Sequence, residues 1–301
     1  MTIPPFLKPG DSVAMIAPAG FIEPDQISFA IRFIELWGLK TVPGKNIYSR
    51  HFNFSGNDQQ RTSDLQEAID NPEIKAIFCI RGGYGLLRII DKIDWSNFVR
   101  FPKWIIGYSD ITVLHAYLNN VLNTASVHGP MLINFEKLST EKKSLNYLQQ
   151  LLFGNPLHYI LPDTLNTPSF ETEGILKGGN LSMLYSLRGT PFDFQSENTI
   201  LFLEDIGEYM YHLDRMIQNF RFGNKFSEIK GVILGGFTDI KENEIPFGLS
   251  IKEIVLQAVN NKHIPVLDQF PAGHKEPNYP LILGKNIKIK SANNFVEIIQ
   301  D

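Results

Sequence analysis

Short apolar segments alternate with amphipathic segments from residue 12 onward, and this alternation constrains the fold more than any other feature of the chain. The segments 12–17, 74–80 and 104–107 are apolar along most of their length, as are strands that a sheet buries on both faces. Residues 26–37, in contrast, carry their apolar side chains mainly on one side of a helix. This order of elements predicts an α/β fold in which helices cover both faces of a parallel sheet.

A second group of candidate strands and helices follows the middle of the chain. Strands are predicted at 199–203, 231–234 and 286–289, and helices at 209–220 and 251–260. The intervening region, 134–173, is rich in turn-forming residues. Because 301 residues suffice for two ordinary cores, we predict an N-terminal α/β domain over 1–140, a linker over 141–170 and a C-terminal β/α domain over 171–301.

Charge and cysteine content exclude several classes of function. The chain has 32 acidic and 28 basic residues and a net charge of -4, so it lacks the basic surface of nucleic-acid-binding or membrane-surface proteins. No apolar run approaches the roughly 18 residues that span a bilayer. Cys79, the lone cysteine, lies in an apolar segment and cannot form an internal disulfide. We expect a cytoplasmic protein with no nucleic-acid or membrane partner.

Three residues, in chain order, fit a nucleophile, an acid and a base. Ser109 lies between a predicted strand and a predicted helix, where a sharp turn can present a nucleophile. Glu204 follows an apolar strand, at the edge where open α/β sheets gather ligand-binding groups, and His274 lies in a turn-rich loop. A serine hydroxyl needs a base and a group that orients the base. The order serine, acid, histidine is that of α/β-hydrolases.

These residues also have ordinary structural explanations. A serine before Asp-Ile-Thr is a good helix N-cap, and the segment around Ser109 lacks the second glycine of Gly-x-Ser-x-Gly. Asp205 or Glu208 could replace Glu204 as the acid, and a loop histidine is commonly just exposed.

The segment Arg81-Gly-Gly-Tyr-Gly follows another predicted strand, and its glycines allow backbone N–H groups to approach a ligand closely. We predict that the N–H groups of Gly83 and Asp110 stabilise an oxyanion. A tight turn or a phosphate-binding nest is the alternative, although the spacing matches neither Gly-x-Gly-x-x-Gly nor a P-loop. The histidines show no His-Glu-x-x-His spacing and the chain has no cysteine pair. We therefore expect no metal and no cofactor.

Six motifs occur in order between residues 9 and 274. They are Pro9-Gly-Asp-Ser-Val-Ala-Met-Ile-Ala-Pro-Ala-Gly, Arg81-Gly-Gly-Tyr-Gly, Gly107-Tyr-Ser-Asp-Ile-Thr, Gly178-Gly-Asn-Leu, Leu203-Glu-Asp-Ile-Gly-Glu and Gly273-His. Together they resemble the LD-carboxypeptidase family of serine peptidases, also called the murein tetrapeptide carboxypeptidase or microcin-immunity family. His128, in His-Gly-Pro-Met, fits the family as well, without an assigned role.

The resemblance implies an N-terminal domain like that of class I glutamine amidotransferases and a C-terminal swivelling β/α domain, with the site in the cleft between them. It assigns Ser109 as nucleophile, His274 as general base and Glu204 as the acid that orients the base. It also assigns the oxyanion hole to Gly83 and Asp110.

Substrate contacts are expected from three further residues. The resemblance places Asn180 near the substrate, while Arg81 and Gly82 belong to the glycine-rich segment. An arginine is suited to the free terminal carboxylate that a carboxypeptidase must recognise.

The resemblance implies one of two activities. Its cell-wall branch removes the terminal D-Ala from murein tetrapeptide, at the bond after the L-centre of a diamino acid, in cytoplasmic recycling. Its other branch hydrolyses peptide-nucleotide antibiotics such as microcin C. Residues 180–192 resemble the first branch more closely. We therefore expect a serine L,D-carboxypeptidase that acts as a homodimer on murein tetrapeptide or a related small peptide. A microcin-type amidase and a non-catalytic binding module are the alternatives.

Overall fold

The computed structural model describes residues 1–162, 169–261, 263–292 and 295–300. Its strands are β1 (Ser12–Ile16), β2 (Lys40–Pro43), β3 (Ile74–Cys79), β4 (Trp104–Gly107), β5 (Ser126–His128), β6 (Leu157–Pro162), β7 (Phe170–Asn180), β8 (Thr199–Ile206), β9 (Gly231–Thr238), β10 (Val266–Leu267), β11 (Leu281–Leu283), β12 (Asn286–Ala292) and β13 (Phe295–Gln300).

The α-helices are α1 (Ser28–Leu36), α2 (Asp58–Asp70), α3 (Ser96–Arg100), α4 (Thr112–Asn120), α5 (Phe135–Leu138), α6 (Lys143–Leu152), α7 (Leu181–Ser186), α8 (Met210–Phe222) and α9 (Ile251–Val259). Short 3-10 turns lie at Pro24–Ile27, Leu86–Arg88, Ile90–Lys92, Ser109–Ile111 and Leu132–Asn134. Within the described ranges, every helix is too short or too polar to cross a membrane.

The strands form two sheets, so the fold is mixed α/β. The first sheet has the order β11-β5-β4-β3-β1-β2, and all its neighbouring strands are parallel except β11, which is antiparallel to β5. The second sheet has the order β10-β9-β8-β7-β12-β13-β6. Strands β7 to β10 are parallel there, and β12, β13 and β6 pair antiparallel. The expected α/β class is confirmed, but both sheets are mixed rather than wholly parallel.

Several elements differ from the sequence prediction. The sequence predicts a helix over 64–69, whereas α2 begins at Asp58, because Asn57 caps its polar first turn in a capping box with Gln60. Strand β7 was not predicted, since its first half alternates exposed and half-buried residues and glycines interrupt it. The expected linker holds α6 and the edge strand β6, and β11 joins the first sheet from the far end of the chain. The division into 1–140, 141–170 and 171–301 stays a prediction.

The first sheet is buried on both faces, as its apolar strands require. Val13 and Met15 of β1 belong to a core that extends into the second sheet, whereas Ala14 and Ile16 face a separate core on the other side. Cys79 lies in that second core and is fully buried. The first of these cores includes residues of β7, β8 and β12, so both sheets pack on one continuous apolar interior.

A buried lysine closes the carboxyl end of α2. The side chain of Lys103 is 1% exposed, and its Nζ donates hydrogen bonds to the carbonyls of Ala68 (2.9 Å), Ile69 (2.8 Å) and Asn71 (2.6 Å). The last carbonyls of a helix lack partners within the helix, so an ammonium group is a suitable cap there. Burial lowers the pKa of Lys103 to about 8.

Replacing this lysine tests the cap. We expect Lys103→Met to reduce the free energy of unfolding by about 2–4 kcal/mol, because buried carbonyl acceptors lose their donor. Urea denaturation measures the change. The matched control is Lys75→Met, since Lys75 Nζ donates only to the exposed Pro72 carbonyl within the described residues. Equal, small effects of the two substitutions would contradict the capping role.

Candidate active site

Ser109 lies on a strained turn at the carboxyl end of β4. Its φ of +65° is a left-handed conformation that residues other than glycine rarely adopt. Such strain at a strand-to-helix turn is characteristic of exposed nucleophiles. The N-cap explanation fails, because the Ser109 side chain makes no capping bond to the 3-10 turn or to α4. Among the described residues, Ser109 Oγ has no hydrogen-bond partner.

His115, a buried histidine of α4, holds the backbone of this turn. The Gly107 carbonyl accepts hydrogen bonds from His115 Nε2 (2.9 Å) and from the Gly129 N–H (3.1 Å). The other ring nitrogen, Nδ1 of His115, is 2.9 Å from Ser126 Oγ. Burial lowers the pKa of His115 to about 3, so the ring is neutral at physiological pH. Both ring nitrogens of His115 are therefore used to hold β4 and β5 together directly before the turn at Ser109.

The glycine-rich segment passes directly beside Ser109. A Cβ on Gly82 would lie 3.2 Å from Ser109 Oγ, so only glycine leaves this approach open. The Gly82 carbonyl accepts a hydrogen bond from the Gly20 N–H at 2.9 Å, which fixes the loop. Gly83 has a φ of +113°, and its N–H has no acceptor among the described residues. This N–H is available to a ligand.

Two buried charged side chains anchor the same segment. Arg61 Nη1 donates to the carbonyls of Gly85 (3.0 Å) and Pro18 (2.8 Å). Asp110 Oδ2 accepts from the Leu86 N–H at 2.9 Å, and burial raises the pKa of Asp110 to about 6. The sequence prediction used only the Asp110 amide. Its side-chain contact joins residues 24 positions apart, which no local motif reveals.

Glu204 and His274 form a hydrogen-bonded pair. His274 Nδ1 lies 2.7 Å from Glu204 Oε2, and the His274 backbone N–H donates to the same oxygen at 3.2 Å. Strand β8 extends past the predicted end at residue 203, so Glu204 lies within the strand, where the register with β9 shifts. The three candidate acids have different partners, and Glu204 is the one that contacts His274. Asp205 bonds to Asn180 and Ser182, and Glu208 bonds to His212.

The charged forms of Glu204 and His274 stabilise each other. Burial acts to raise the pKa of Glu204, but His128 and His274 outweigh it and hold that pKa at about 2. Burial likewise acts to lower the pKa of His274, and the Glu204 carboxylate overcomes this and raises it above the ordinary value. With Glu204 bound at Nδ1, the neutral imidazole keeps its proton there and has Nε2 free to accept one.

Ser109 and His274 are brought into the same region through Tyr108. The rings of Tyr108 and His274 meet edge to face with their centroids 4.8 Å apart. Among the described residues no hydrogen bond links Ser109 to His274. A cavity of about 440 Å³ lies beside the two rings and is lined by Tyr108, Asn134, Lys137, Leu138, Ile206, His274, Lys275, Glu276 and Asn278.

Two further predicted site residues, Asn180 and Arg81, form hydrogen bonds within the protein. Asn180 is the N-cap of α7, where its side chain accepts from the Met183 N–H and donates to Asp205 Oδ1. One N–H of its amide group remains for a ligand. Arg81 Nη1 donates to the Phe21 carbonyl at 3.0 Å, and the rest of its exposed guanidinium is unpaired among the described residues. In the same ranges, no three His, Cys, Asp or Glu side chains are arranged to hold a metal ion.

Comparison with known families agrees with the six motifs. The family model described as the LD-carboxypeptidase N-terminal domain matches residues 13–129, and that of the LD-carboxypeptidase C-terminal domain matches residues 173–289. The chain belongs to the LD-carboxypeptidase family. The two matches include Ser109, Glu204 and His274.

Named relatives of this chain fall into both branches of the family. A probable murein peptide carboxypeptidase of Bacillus subtilis is 32% identical over 96% of this chain and 92% of the relative. The crystal structure of a muramoyltetrapeptide carboxypeptidase from Oxalobacter formigenes superposes with a TM-score of 0.85 at 27% identity, covering 96% of this chain and 98% of the other. The microcin C7 self-immunity protein MccF of Escherichia coli is 27% identical over 98% of this chain and 94% of its own length.

The contact between Glu204 and His274 depends on Gly273. This residue has a φ of +94°, and a Cβ there would lie 2.6 Å from Glu204 Oε2. We expect Gly273→Ala to displace the carboxylate, so the pKa of His274 falls because the group that raises it is lost. NMR titration of the His274 imidazole in the free protein measures the shift.

The control for this substitution is Gly248→Ala. Gly248 has a similar φ of +85°, and a Cβ there would meet nothing within 4 Å. Both substitutions incur backbone strain of about 1–3 kcal/mol, but only the first places an atom against Glu204. A shift of the His274 pKa in both variants, or in neither, would contradict the proposed contact.

Proposed function

We propose that this member of the LD-carboxypeptidase family is a serine hydrolase that removes the terminal D-Ala from murein tetrapeptide. The observation that carries the proposal is the 2.7 Å contact between buried Glu204 and His274 Nδ1, which leaves Nε2 for the strained Ser109. The murein peptide names of relatives that align over nearly the whole chain support the substrate. The cytoplasmic recycling role and a homodimer are parts of the same proposal.

The proposed reaction proceeds through an acyl-enzyme. His274 Nε2 takes the proton of Ser109 while Oγ attacks the carbonyl carbon of the diamino acid. The N–H groups of Gly83 and Asp110 stabilise the oxyanion, and the C–N bond then breaks as His274 returns the proton to the amine of D-Ala. Water, activated by the same histidine, cleaves the ester and regenerates Ser109.

Recognition of the substrate is proposed for Arg81, Gly82 and Asn180. The unpaired guanidinium nitrogens of Arg81 suit a carboxylate, since arginine binds carboxylates through paired N–H donors. Gly82 leaves room for the substrate beside Ser109, and Asn180 keeps one N–H to donate. Arg81 is a candidate for the free terminal carboxylate.

The domain architecture is also part of the proposal. We assign the N-terminal domain to the class I glutamine amidotransferase-like type and the C-terminal domain to the swivelling β/α type, joined over residues 141–170. The separation of Ser109 and Glu204 onto different sheets is consistent with a cleft between two domains.

A direct assay tests the function. Wild-type protein is incubated with L-Ala-γ-D-Glu-meso-diaminopimelate-D-Ala, and mass spectrometry follows D-Ala. We expect release by the wild type and a loss of at least about 10³-fold in Ser109→Ala, because the acyl-enzyme cannot form.

The other outcomes separate the alternatives. A folded wild type that leaves the tetrapeptide intact but hydrolyses an aminoacyl-sulfamoyl nucleoside would favour the microcin-type amidase, an activity suggested by the MccF relative. Release of D-Ala by both proteins would reject Ser109 as the nucleophile. Binding of the peptide without cleavage of either substrate would indicate a non-catalytic module.

The pH profile of kcat/KM tests the general base. Only neutral His274 accepts a proton, and Glu204 raises the pKa of His274. Activity should therefore fall as the pH decreases, with a midpoint above the ordinary imidazole value of about 6.5. A rate that stays constant from pH 8 to pH 5 would reject His274 in this role.

A further inference from the structure

We propose that His128 is a positioning residue that holds the second oxygen of Glu204. The inference rests on the proposed function, in which Glu204 orients His274 as the general base. Glu204 Oε2 receives both N–H donors of His274, whereas Oε1 is buried and has no hydrogen-bond partner among the described residues. A buried carboxylate oxygen without a donor is unfavourable.

His128 is placed to supply that donor. Its Nε2 lies 3.9 Å from Glu204 Oε1, and both side chains are 0% exposed. Both ring nitrogens of His128 also lack a hydrogen-bond partner in the described part of the chain. Two complementary polar groups therefore face each other. If their separation shortened by about 1 Å or less, the contact would become a hydrogen bond.

The surroundings hold the ring at this position. His128 ends β5, where it is paired with Gly107 of β4 and Leu281 of β11. The Phe202 ring of β8 packs edge to face against it with a centroid distance of 4.8 Å. His128 thus extends from the first sheet to the second, at the strand that carries Glu204.

The titratable groups around His128 come from three elements. Tyr108 follows β4, His115 belongs to α4 and Glu204 belongs to β8, with ring centroids of Tyr108 and His115 at 5.9 Å and 6.3 Å from that of His128. Burial raises the pKa of Tyr108 and lowers that of His115, so both are neutral near pH 7. Glu204 is the one anion facing His128 in the described ranges.

The consequence concerns both geometry and charge. An N–H of His128 on Oε1 fixes the plane of the carboxylate and so the orientation of the His274 ring, whereas the two N–H groups of His274 hold Oε2 even without it. The N–H of His128 also takes up part of the negative charge of Glu204. When that donor is removed, the carboxylate stabilises the His274 imidazolium more strongly, and the acid limb of the pH profile moves to higher pH.

The test compares His128→Leu with His128→Gln. Gln places an amide N–H near the position of Nε2, whereas Leu has no donor. We expect His128→Leu to lower kcat about 10- to 100-fold, with KM unchanged and the acid limb at higher pH. His128→Gln should restore much of kcat and return the acid limb to its original position.

Equal losses in the two variants with an unmoved acid limb would overturn the proposal, since that result indicates a packing role alone. Should His128→Leu fail to fold, His128→Asn replaces it, because its shorter amide does not reach Oε1. His115→Gln is the matched control. It alters a fully buried histidine that contacts Gly107 and Ser126 instead of Glu204, and an equal shift of its acid limb would also overturn the proposal.

A second readout separates this inference from the proposed function. NMR titration of His274 in the Ser109→Ala background requires no turnover. A higher His274 pKa in Ser109→Ala/His128→Leu than in Ser109→Ala supports the role of His128 even where no substrate is cleaved. Cleavage by the wild type but not by Ser109→Ala, together with an unchanged or lower His274 pKa, would reject the inference alone.

Discussion

The buried carboxylate of Glu204 is the interaction on which the arrangement of the site depends. A charge removed from water needs compensation from fixed donors, and the nearest donors come from two parts of the fold. His274 lies in the loop that precedes β11, and His128 belongs to the first sheet. Ionised Glu204 therefore lies between the sheet that carries Ser109 and the loop that carries His274. Displacement of this carboxylate would therefore change the position of His274 relative to Ser109.

The rigidity of the Ser109 side of the site comes from a different set of contacts. Arg61, Asp110 and His115 are all buried, and each bonds to main-chain atoms of the glycine-rich segment, of Leu86 directly after it, or of β4. Fixed backbone groups stabilise developing charge without reorganising during the reaction, which is why preorganised sites are effective. The polar side chains beneath the loop thus maintain the positions of the N–H groups above it.

The sequence predicted those elements whose local pattern is strong. Strand β4 was predicted with its observed bounds, because apolar residues fill it and a turn follows. Strand β7 was missed, since its pairing with β8 and β12 rather than its own composition makes it a strand. Reasoning from the residues left three carboxylates as candidate acids, and the family resemblance favoured Glu204. The hydrogen bond to His274 then distinguishes Glu204 from Asp205 and Glu208. The role proposed for His128 could not be inferred from the sequence either, because Glu204 lies on the other sheet.

The position of β11 has a consequence for how the chain acquires its structure during synthesis. Leu281–Leu283 pairs with β5 and so completes the edge of a sheet whose other strands end at residue 128. Until residues 281–283 leave the ribosome, β5 presents unpaired N–H and C=O groups to other chains. The N-terminal part is therefore exposed to aggregation as a nascent fragment. Its protection depends on the later synthesis of β11.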